Sequence, residues 1–221
     1  MMLKIKKHLE PYSQFGLISK YLSSNATIYD FGCGNMSPQK FKTMLPNCYY
    51  IGFDITEYNL CEEDYLCADE LIISDYPLKE LNTCSKFPDL INCSHVLEHL
   101  INPGNYVKEF LKKHPTHIYF SFPCQDSINF PPRSGTLNFY DDPTHLTVID
   151  PKEIINLLTS NNYEIVFYRE KYKPYFRKSI GYFQEKFKIN TTIANRYTWA
   201  YFGFESVIFA KIKNHASPNN K

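Results

Sequence analysis

Residues 88–100 read PDLINCSHVLEHL, and this stretch contains both a predicted strand and a cluster of titratable side chains. Its first half, Asp89–Cys93, is the apolar run of a buried strand. Its second half places four polar side chains within six residues, namely Ser94, His95, Glu98 and His99. Parallel α/β sheets bind ligands where their strands end. We therefore predict a sheet strand that leads into a functional site.

Strands and helices alternate on both sides of this stretch. Runs rich in β-branched and aromatic residues predict further strands at Ala26–Phe31, Cys48–Phe53, Leu71–Ser74, Thr116–Phe122, Tyr163–Tyr168 and Glu205–Ile212. Apolar residues at helical spacing predict helices at Tyr12–Leu22, Ser37–Leu45, Pro103–His114 and Pro151–Leu158, with Ser37 and Asp150 as N-caps. This alternation over residues 26–122 predicts right-handed βαβ crossovers and a parallel sheet.

Two segments depart from the alternation. Residues 123–150 are rich in Pro, Asn and Asp without a period, which is typical of an active-site loop. Residues 171–204 are basic and aromatic and precede the last strand, so we expect a lid insertion there. Residues 213–221 are a polar tail that we expect to be disordered. We expect residues 1–221 to form a single domain.

Composition narrows the class of protein. A net charge of +1 argues against non-specific nucleic-acid binding, and 43% hydrophobic residues are enough for a core. Every apolar run is shorter than the ~20 residues of a membrane span, and the N-terminus lacks the apolar region of a secretory signal. Seven cysteines without a CxxC pair indicate free thiols in a cytoplasmic protein.

The first two predicted strands carry a nucleotide-binding pattern. Gly32 and Gly34 follow the first strand, and Asp54 ends the second about twenty residues later, where a carboxylate can accept both hydroxyls of a ribose. Ser37 stands where a dinucleotide fingerprint has its third glycine, which argues against NAD. Asp30 suits a cationic ligand better than a pyrophosphate. The alternative is an ordinary strand-to-helix turn with a solvated Asp54.

The segments IYDFGCGN, YIGFDI and DLINCSHVLEHL resemble the glycine-rich, ribose-binding and fourth-strand motifs of class I S-adenosylmethionine-dependent methyltransferases. The resemblance covers about residues 26–122 and 150–168. It implies a Rossmann-like, seven-stranded, mostly parallel sheet with helices on both faces and an antiparallel last strand. It also implies S-adenosylmethionine as cofactor, and cofactor-binding roles for Asp30, Gly32, Gly34, Asp54, Ile55, Asp75 and Ser94. For Asp75, expected beside the adenine amine, the alternative is a turn role before Pro77.

The residues that could carry the chemistry come from two places in the chain. His95, Glu98 and His99 form an HxxEH pattern, and on a helix these spacings share a face. His145 follows the fifth strand, in the long loop. Imidazoles with a carboxylate can ligate Zn, Mn, Fe or a Mg-like ion, so these four residues are a candidate divalent-metal site.

Methyl transfer to a hydroxyl needs a base or a Lewis acid, and we expect His145 and His95 to be the catalytic residues. Three interpretations of His145 remain open from the sequence. It is a metal ligand, a general base without metal, or a structural residue bonded to Asp141 or Asp142. Arg133, Tyr140 and Asp142 are weaker candidates for substrate contact. The remaining histidines look peripheral, namely His8, His114, His117 and His215.

Two further resemblances concern the acceptor. HxxEH is similar to the ExxEH motif of small-RNA 2′-O-methyltransferases and ubiquinone-pathway O-methyltransferases, with His95 in place of their first Glu. FYDDPTH, residues 139–145, resembles a segment in methyltransferases of bacterial surface-glycan assembly. They imply O-methylation of a small polar acceptor, such as a sugar hydroxyl or phosphate-type group, free or nucleotide-linked, in surface polysaccharide biosynthesis. The alternatives are RNA ribose 2′-O-methylation and a non-catalytic cofactor-binding scaffold.

Residues 171–196 contain basic side chains spread among aromatic ones. One interpretation is a basic lid over a phosphorylated or nucleotide-linked acceptor. The interpretation that the sequence alone favours is an amphipathic helix with a solvated charged face.

Overall fold

A seven-stranded sheet forms the centre of the computed structural model, which describes residues 12–34, 36–189 and 191–213. Its strands are β1 (Thr27–Phe31), β2 (Tyr49–Asp54), β3 (Glu70–Ile73), β4 (Leu90–Ser94), β5 (His117–Pro123), β6 (Tyr163–Arg169) and β7 (Glu205–Ile212). They lie in the order β3-β2-β1-β4-β5-β7-β6, and β7 is antiparallel to both of its neighbours. The predicted sheet, with its antiparallel last strand, is therefore confirmed. The predictions for His8, His215 and tail residues 214–221 lie outside the described residues.

In the part of the chain that the structure describes, one helix precedes the first strand, and the others lie in the connections between strands. They are α1 (Gln14–Tyr21), α2 (Ser37–Met44), α3 (Glu62–Cys67), α4 (Pro77–Thr83), α5 (Pro103–Lys112), α6 (Pro151–Ser160), α7 (Tyr175–Lys186) and α8 (Arg196–Phe202). The sequence did not predict α3 and α4, which span only six and seven residues and are too short to show a helical period. Among the described residues, no helix is both long enough and apolar enough to cross a bilayer.

The two predicted N-caps have different outcomes. Asp150 caps α6, since its side chain accepts a hydrogen bond of 2.9 Å from the backbone N–H of Lys152. The prediction for Ser37 is wrong, because Met36, with φ +63°, is the N-cap of α2. The Ser37 hydroxyl instead donates to Asp30 Oδ2 at 2.5 Å. A buried carboxylate is a strong acceptor that requires donors, so this contact takes precedence over capping.

Both faces of the sheet are covered by apolar side chains. Tyr29 and Phe31 of β1 enter one cluster, whereas Ile28, which precedes them, enters the other. This division follows from the alternation of side chains along a strand. Because a parallel sheet is buried on both faces, its polar side chains gather at the strand ends. The carboxyl ends of β1, β2 and β4 are therefore the place to look for the site.

The HxxEH pattern does not lie on an α-helix, so the shared helical face considered for it is not formed. The backbone N–H of His95 donates to Ser121 O at 2.8 Å, so pairing with β5 continues one residue beyond β4. His95 then adopts a left-handed conformation with φ +55°, and a single 3₁₀ turn follows at Leu97–His99. Since α5 begins at Pro103, no room remains for a helix in between. His95 and His99 consequently do not share a helical face.

Hydrogen bonds hold the irregular segment 123–150 in place. It contains short 3₁₀ turns at Gln125–Asn129 and Phe139–Asp141. The Asp141 carboxylate accepts three backbone N–H groups of the same loop, at 2.7–2.9 Å. The loop also contacts the 171–204 segment, because Trp199 Nε1 donates to Thr136 O at 2.6 Å. That these segments act as an active-site loop and a lid stays a prediction.

Candidate active site

Asp30, near the end of β1, is a buried carboxylate held by three donors. Its Oδ2 accepts from Ser37 Oγ at 2.5 Å and from the Tyr50 hydroxyl at 2.6 Å, and its Oδ1 accepts from Asn92 Nδ2 at 2.5 Å. Burial raises the pKa of Asp30 to about 6, and the three hydrogen bonds oppose that rise. Asp30 therefore braces the turn that follows β1 and places a negative charge two residues before Gly32.

The glycine turn packs closely against the turns after β2 and β4. Gly32 has φ +74°, and a Cβ there would lie 2.3 Å from Val96 Cγ2. A Cβ at Gly34 would lie 2.8 Å from Asn59 Cβ. Because both distances are shorter than real contacts, a side chain at either glycine would force the neighbouring turn to shift. The turns that a nucleoside ligand would touch are thus fixed against each other.

We expect Gly32→Ala to lower the free energy of unfolding by about 2–3 kcal/mol. The new methyl group would collide with Val96, and alanine is strained at a positive φ. Urea unfolding of the single variants and of Gly32→Ala/Val96→Ala measures the effect. Gly32→Ala should cost less stability in the Val96→Ala background than in the wild-type protein, because the collision is then absent. An equal cost in the two backgrounds would contradict the packing explanation.

Asp54 ends β2, as predicted, and its carboxylate is oriented by its own turn. Oδ1 accepts from the backbone N–H of Ile55 at 2.7 Å and of Thr56 at 3.3 Å. The side chain of Ile55 is exposed beside it. Asp75, also exposed, follows Ser74, whose backbone N–H donates to Asp54 O at 3.0 Å. This edge thus offers carboxylates for ribose hydroxyls and an apolar side chain for a base, which fits a nucleoside cofactor.

Ser94 and several unpredicted polar residues complete this edge. Ser94 Oγ lies 2.7 Å from the Oγ of Ser121, which is buried on β5. Asn92 is buried in β4, accepts from Gln14 Nε2 at 2.7 Å and donates to Asp30. The sequence did carry a signal for Asn92. An amide within a buried apolar strand requires hydrogen-bond partners, and it therefore marks a polar network.

Glu98, His99 and His145 come together at the end of β4. One potential ligand atom from each residue lies within 4.8 Å of those from the others, and the two imidazole ring centroids are 4.9 Å apart. The 123–150 loop is held there because the backbone N–H groups of Leu146 and Thr147 donate to Glu98 O at 2.8 and 3.0 Å. Three of the four predicted metal ligands therefore meet.

Hydrogen bonds orient both imidazoles of this cluster through Nδ1. His145 Nδ1 donates to Phe139 O at 2.7 Å. His99 Nδ1 lies 3.1 Å from Thr144 O and 2.9 Å from Thr144 Oγ1, and that hydroxyl donates to Asp142 Oδ1 at 2.5 Å. These acceptors assign the proton to Nδ1 in each ring. The Nε2 lone pairs are then available to bind a metal ion or accept a proton.

Glu98 supplies the observation that tests whether a metal ion fits. Its side chain is fully buried, and among the described residues no hydrogen-bond partner reaches Oε2. A buried carboxylate oxygen without a partner is costly, and a bound cation would satisfy it. Two neutral imidazole nitrogens with one carboxylate are a common ligand set for a divalent transition metal or zinc. The residues present therefore fit such an ion.

His95 lies between two carboxylates, apart from the other imidazoles. Its Nδ1 is 3.1 Å from Glu98 Oε1, and its Nε2 is 2.9 Å from Glu205 Oε1. Burial lowers the pKa of His95, but the hydrogen bonds and charges of Glu205 and Glu98 outweigh that effect and raise it to about 10. An imidazolium has no lone pair for a metal or for a proton. In this arrangement His95 is a positioning residue that holds Glu98.

We expect His95→Asn to lower the free energy of unfolding by about 2–3 kcal/mol, because it leaves the buried Glu98 without its cationic partner. Asparagine tolerates the positive φ at this position. A double-mutant cycle with Glu205→Gln, measured by urea unfolding, isolates the second ion pair. A coupling energy near zero would show that His95 and Glu205 do not form an ion pair in solution.

The three weaker candidates for substrate contact lie in different environments. Arg133 forms a two-pronged ion pair with Glu185, at 2.6 and 2.7 Å, with only 9% of its side chain exposed, so it is not free to bind a substrate. Tyr140 is exposed. Asp142 Oδ2 lies 3.9 Å from His145 Nε2, at the edge of the metal-ligand cluster. At that distance Asp142 is not hydrogen-bonded to His145, whose Nδ1 donates to Phe139 O instead.

A family model and several solved structures are similar to this chain. A family model described as a methyltransferase domain matches residues 9–167. A solved S-adenosylmethionine-dependent methyltransferase from Archaeoglobus fulgidus is similar over 95% of this chain and 99% of its own, at 20% identity and a TM-score of 0.52. One from Mesorhizobium loti is similar over 92% and 99%, at 14% identity and a TM-score of 0.60.

The fold also occurs in a protein with another reaction. The [4+2]-cyclase SpnF is similar over 90% of this chain and 79% of its own, at 12% identity and a TM-score of 0.56. No curated protein matches the sequence. At such low identities the structural likeness shows the fold, and the chemistry must be argued from the site.

Proposed function

This chain belongs to the class I S-adenosylmethionine-dependent methyltransferases, and from that premise we propose that it methylates an oxygen atom of a small polar acceptor at a divalent-metal site. Its cofactor is S-adenosylmethionine, which supplies the activated methyl group when bound. The observation that carries the proposal is the cluster of Glu98, His99 and His145, in which one carboxylate oxygen has no hydrogen-bond partner in the described part of the chain. An oxygen acceptor is the kind of nucleophile that needs such help.

The cofactor would be held by the residues at the ends of β1 and β2. Asp54 would accept hydrogen bonds from the ribose hydroxyls, because its Oδ1 is already oriented by two backbone donors. Ile55 and Asp75 would contact the adenine side. The glycine turn would allow close approach of the cofactor to the backbone, and the charge of Asp30 would favour its cationic end. Ser94 would line the floor between this edge and the metal ligands.

The metal ligands would act on the acceptor. Glu98, His99 and His145 would hold the ion through one carboxylate oxygen and two Nε2 atoms, and Lewis acidity would lower the pKa of an acceptor hydroxyl. Asp142 Oδ2, 3.9 Å from His145 Nε2, is a carboxylate that could receive the acceptor proton. His95 keeps Glu98 in place from the opposite side. This division of roles leaves no catalytic step to His95.

We further propose that the acceptor is a sugar hydroxyl or phosphate-type group in surface polysaccharide biosynthesis. Support comes from residues 139–145, whose sequence resembles a segment of surface-glycan methyltransferases and which build this part of the site. Phe139 O orients His145, Asp141 organises the loop, and Asp142 orients Thr144. RNA ribose methylation is the second candidate, because of the HxxEH resemblance. A near-neutral overall charge counts against it.

A turnover assay tests the proposal. The purified protein is incubated with S-adenosylmethionine and either nucleotide sugars, sugar phosphates or a short oligoribonucleotide, and release of S-adenosylhomocysteine is measured. We expect turnover with a sugar acceptor, its loss with a chelator and its recovery with Mn²⁺ or Mg²⁺. If only the oligoribonucleotide is methylated, the acceptor is RNA and not a sugar. Turnover that a chelator leaves unchanged would refute the role of a metal ion. Cofactor binding without any turnover would favour the non-catalytic scaffold.

A further inference from the structure

Helix α7 presents a row of aromatic side chains to solvent. Tyr175, Phe176, Tyr182 and Phe183 are 86, 52, 44 and 56% exposed, and Phe187 directly after the helix is 62% exposed. The two pairs are separated by seven residues, two helical turns, so they lie on one face. Isolated exposed aromatics are ordinary, but several on one side of the same segment mark an interaction surface. We refer to this row of five residues as the α7 face.

The opposite side of α7 is fixed to the rest of the protein. Gly181 is buried against α8, where an added Cβ would lie 2.2 Å from Tyr197 O. Glu185 pairs with Arg133, which belongs to the same loop as His145. Because these contacts determine which side of the helix faces inward, the exposure of the α7 face is not a consequence of a loosely attached helix. The face is held at a fixed position relative to the 123–150 loop.

The charge around the α7 face differs in sign from the rest of the chain. Residues 171–196 carry seven of the 24 Lys and Arg side chains and one of the 23 Asp and Glu side chains, so 17 basic and 22 acidic groups remain elsewhere. Lys178, Lys186 and Lys188 are exposed. Lys186 Nζ lies 5.8 Å from the ring centres of Tyr182 and Phe187. An aromatic row with lysines around it is complementary to an anionic surface with an apolar interior.

We propose that the α7 face binds the surface of an anionic lipid bilayer. Helices that lie in a membrane interface combine an apolar aromatic face with Lys and Arg beside it, and anionic lipids attract the basic residues. A nucleic acid is the less suitable partner, because the same segment also exposes Ile189 and Ile193, whose apolar side chains offer no ring for a base. A second copy of the chain would bring two basic faces together. This inference does not depend on the acceptor proposed above.

Co-sedimentation with lipid vesicles tests this inference. The probes are vesicles of phosphatidylcholine alone and of phosphatidylcholine with phosphatidylglycerol. The test variant is Phe176→Ser/Phe183→Ser, and the matched control is Leu66→Ser/Phe87→Ser, which removes two exposed apolar side chains outside the segment. We expect the wild-type protein to bind the anionic vesicles about tenfold or more tightly than the neutral ones. The test variant should lose roughly 100-fold in affinity, and the control less than about twofold.

A second variant, Lys178→Glu/Lys186→Glu, keeps the rings and reverses two charges. It should lose the preference for anionic vesicles. Both side chains are exposed, so we expect only a small fall in its unfolding midpoint, from the charge reversed in the last turn of the helix. Several results would overturn the inference. They are no wild-type binding to anionic vesicles, equal losses in the test and control variants, binding to an oligonucleotide but not to vesicles, or a concentration-dependent dimer that Phe176→Ser/Phe183→Ser disrupts. Binding of S-adenosylhomocysteine in every variant verifies the fold.

Discussion

Asp54→Ala is expected to bind S-adenosylhomocysteine about 100-fold more weakly than the wild-type protein. Oδ1 of Asp54 is already engaged by the backbone N–H groups of Ile55 and Thr56, so the carboxylate is held at the strand end. Two ribose hydroxyls donating to a carboxylate are together worth about 3 kcal/mol, which is roughly 100-fold in affinity. Isothermal titration calorimetry measures the loss. Asp54→Asn keeps an oxygen that can accept from the Ile55 N–H, so its affinity for S-adenosylhomocysteine should lie between those of Asp54→Ala and the wild-type protein.

The matched control is Glu57→Ala, which removes a negative charge from an exposed position of the same loop. Its affinity should stay within about twofold of the wild-type value, because a solvated charge contributes little at a distance. Both variants are compared by thermal unfolding, so that a folding defect is not mistaken for lost contacts. If Asp54→Ala retains wild-type affinity, Asp54 does not hold the ribose and the cofactor assignment of this edge fails.

The central strands of the sheet could be predicted from the sequence because they are buried on both faces. Such strands appear as short, continuous apolar runs, and DLINC and THIYFSF need no distant contact to be recognised. The segment after β4 could not be predicted in the same way. Its helical spacing was a local signal, whereas the bond from His95 N to Ser121 O comes from a neighbouring strand and takes precedence. Tertiary contacts determine the backbone conformation of such short segments.

The same distinction between local signals and distant contacts applies to the residues of the candidate site. Asp54 was predictable because it ends a strand, and strand ends are where parallel sheets place ligands. The meeting of His99 with His145 was predictable because β4 and β5 are neighbours and both lead into the same edge. The environment of His95 was not predictable, since its partner Glu205 is 110 residues away on the last strand. No local pattern indicates that a histidine in HxxEH is held as an imidazolium.

His145→Ala is expected to lose the bound divalent ion and about 1,000-fold in kcat. The substitution removes one of two imidazole ligands, and the remaining pair, Glu98 and His99, is a weak ligand set. A loss of that size corresponds to about 4 kcal/mol of transition-state stabilisation. Metal analysis of protein purified without chelator gives the occupancy. His114→Asn is the matched control, because His114 is exposed outside the cluster and has a positive φ that asparagine tolerates.

Stability separates a metal-ligand His145 from a general base without metal, and it requires no acceptor. An ion that binds only the folded protein stabilises it, by about 2.7 kcal/mol at 100 times the dissociation constant. With a metal site, Mn²⁺ or Zn²⁺ should raise the unfolding midpoint of the wild-type protein and of His114→Asn. The same ions should leave His145→Ala and Glu98→Gln nearly unchanged. If His145 is a general base without metal, the unfolding midpoint should respond to the ion in neither the wild-type protein nor any variant. Glu98 Oε2, buried without a partner among the described residues, is the reason we expect the first result.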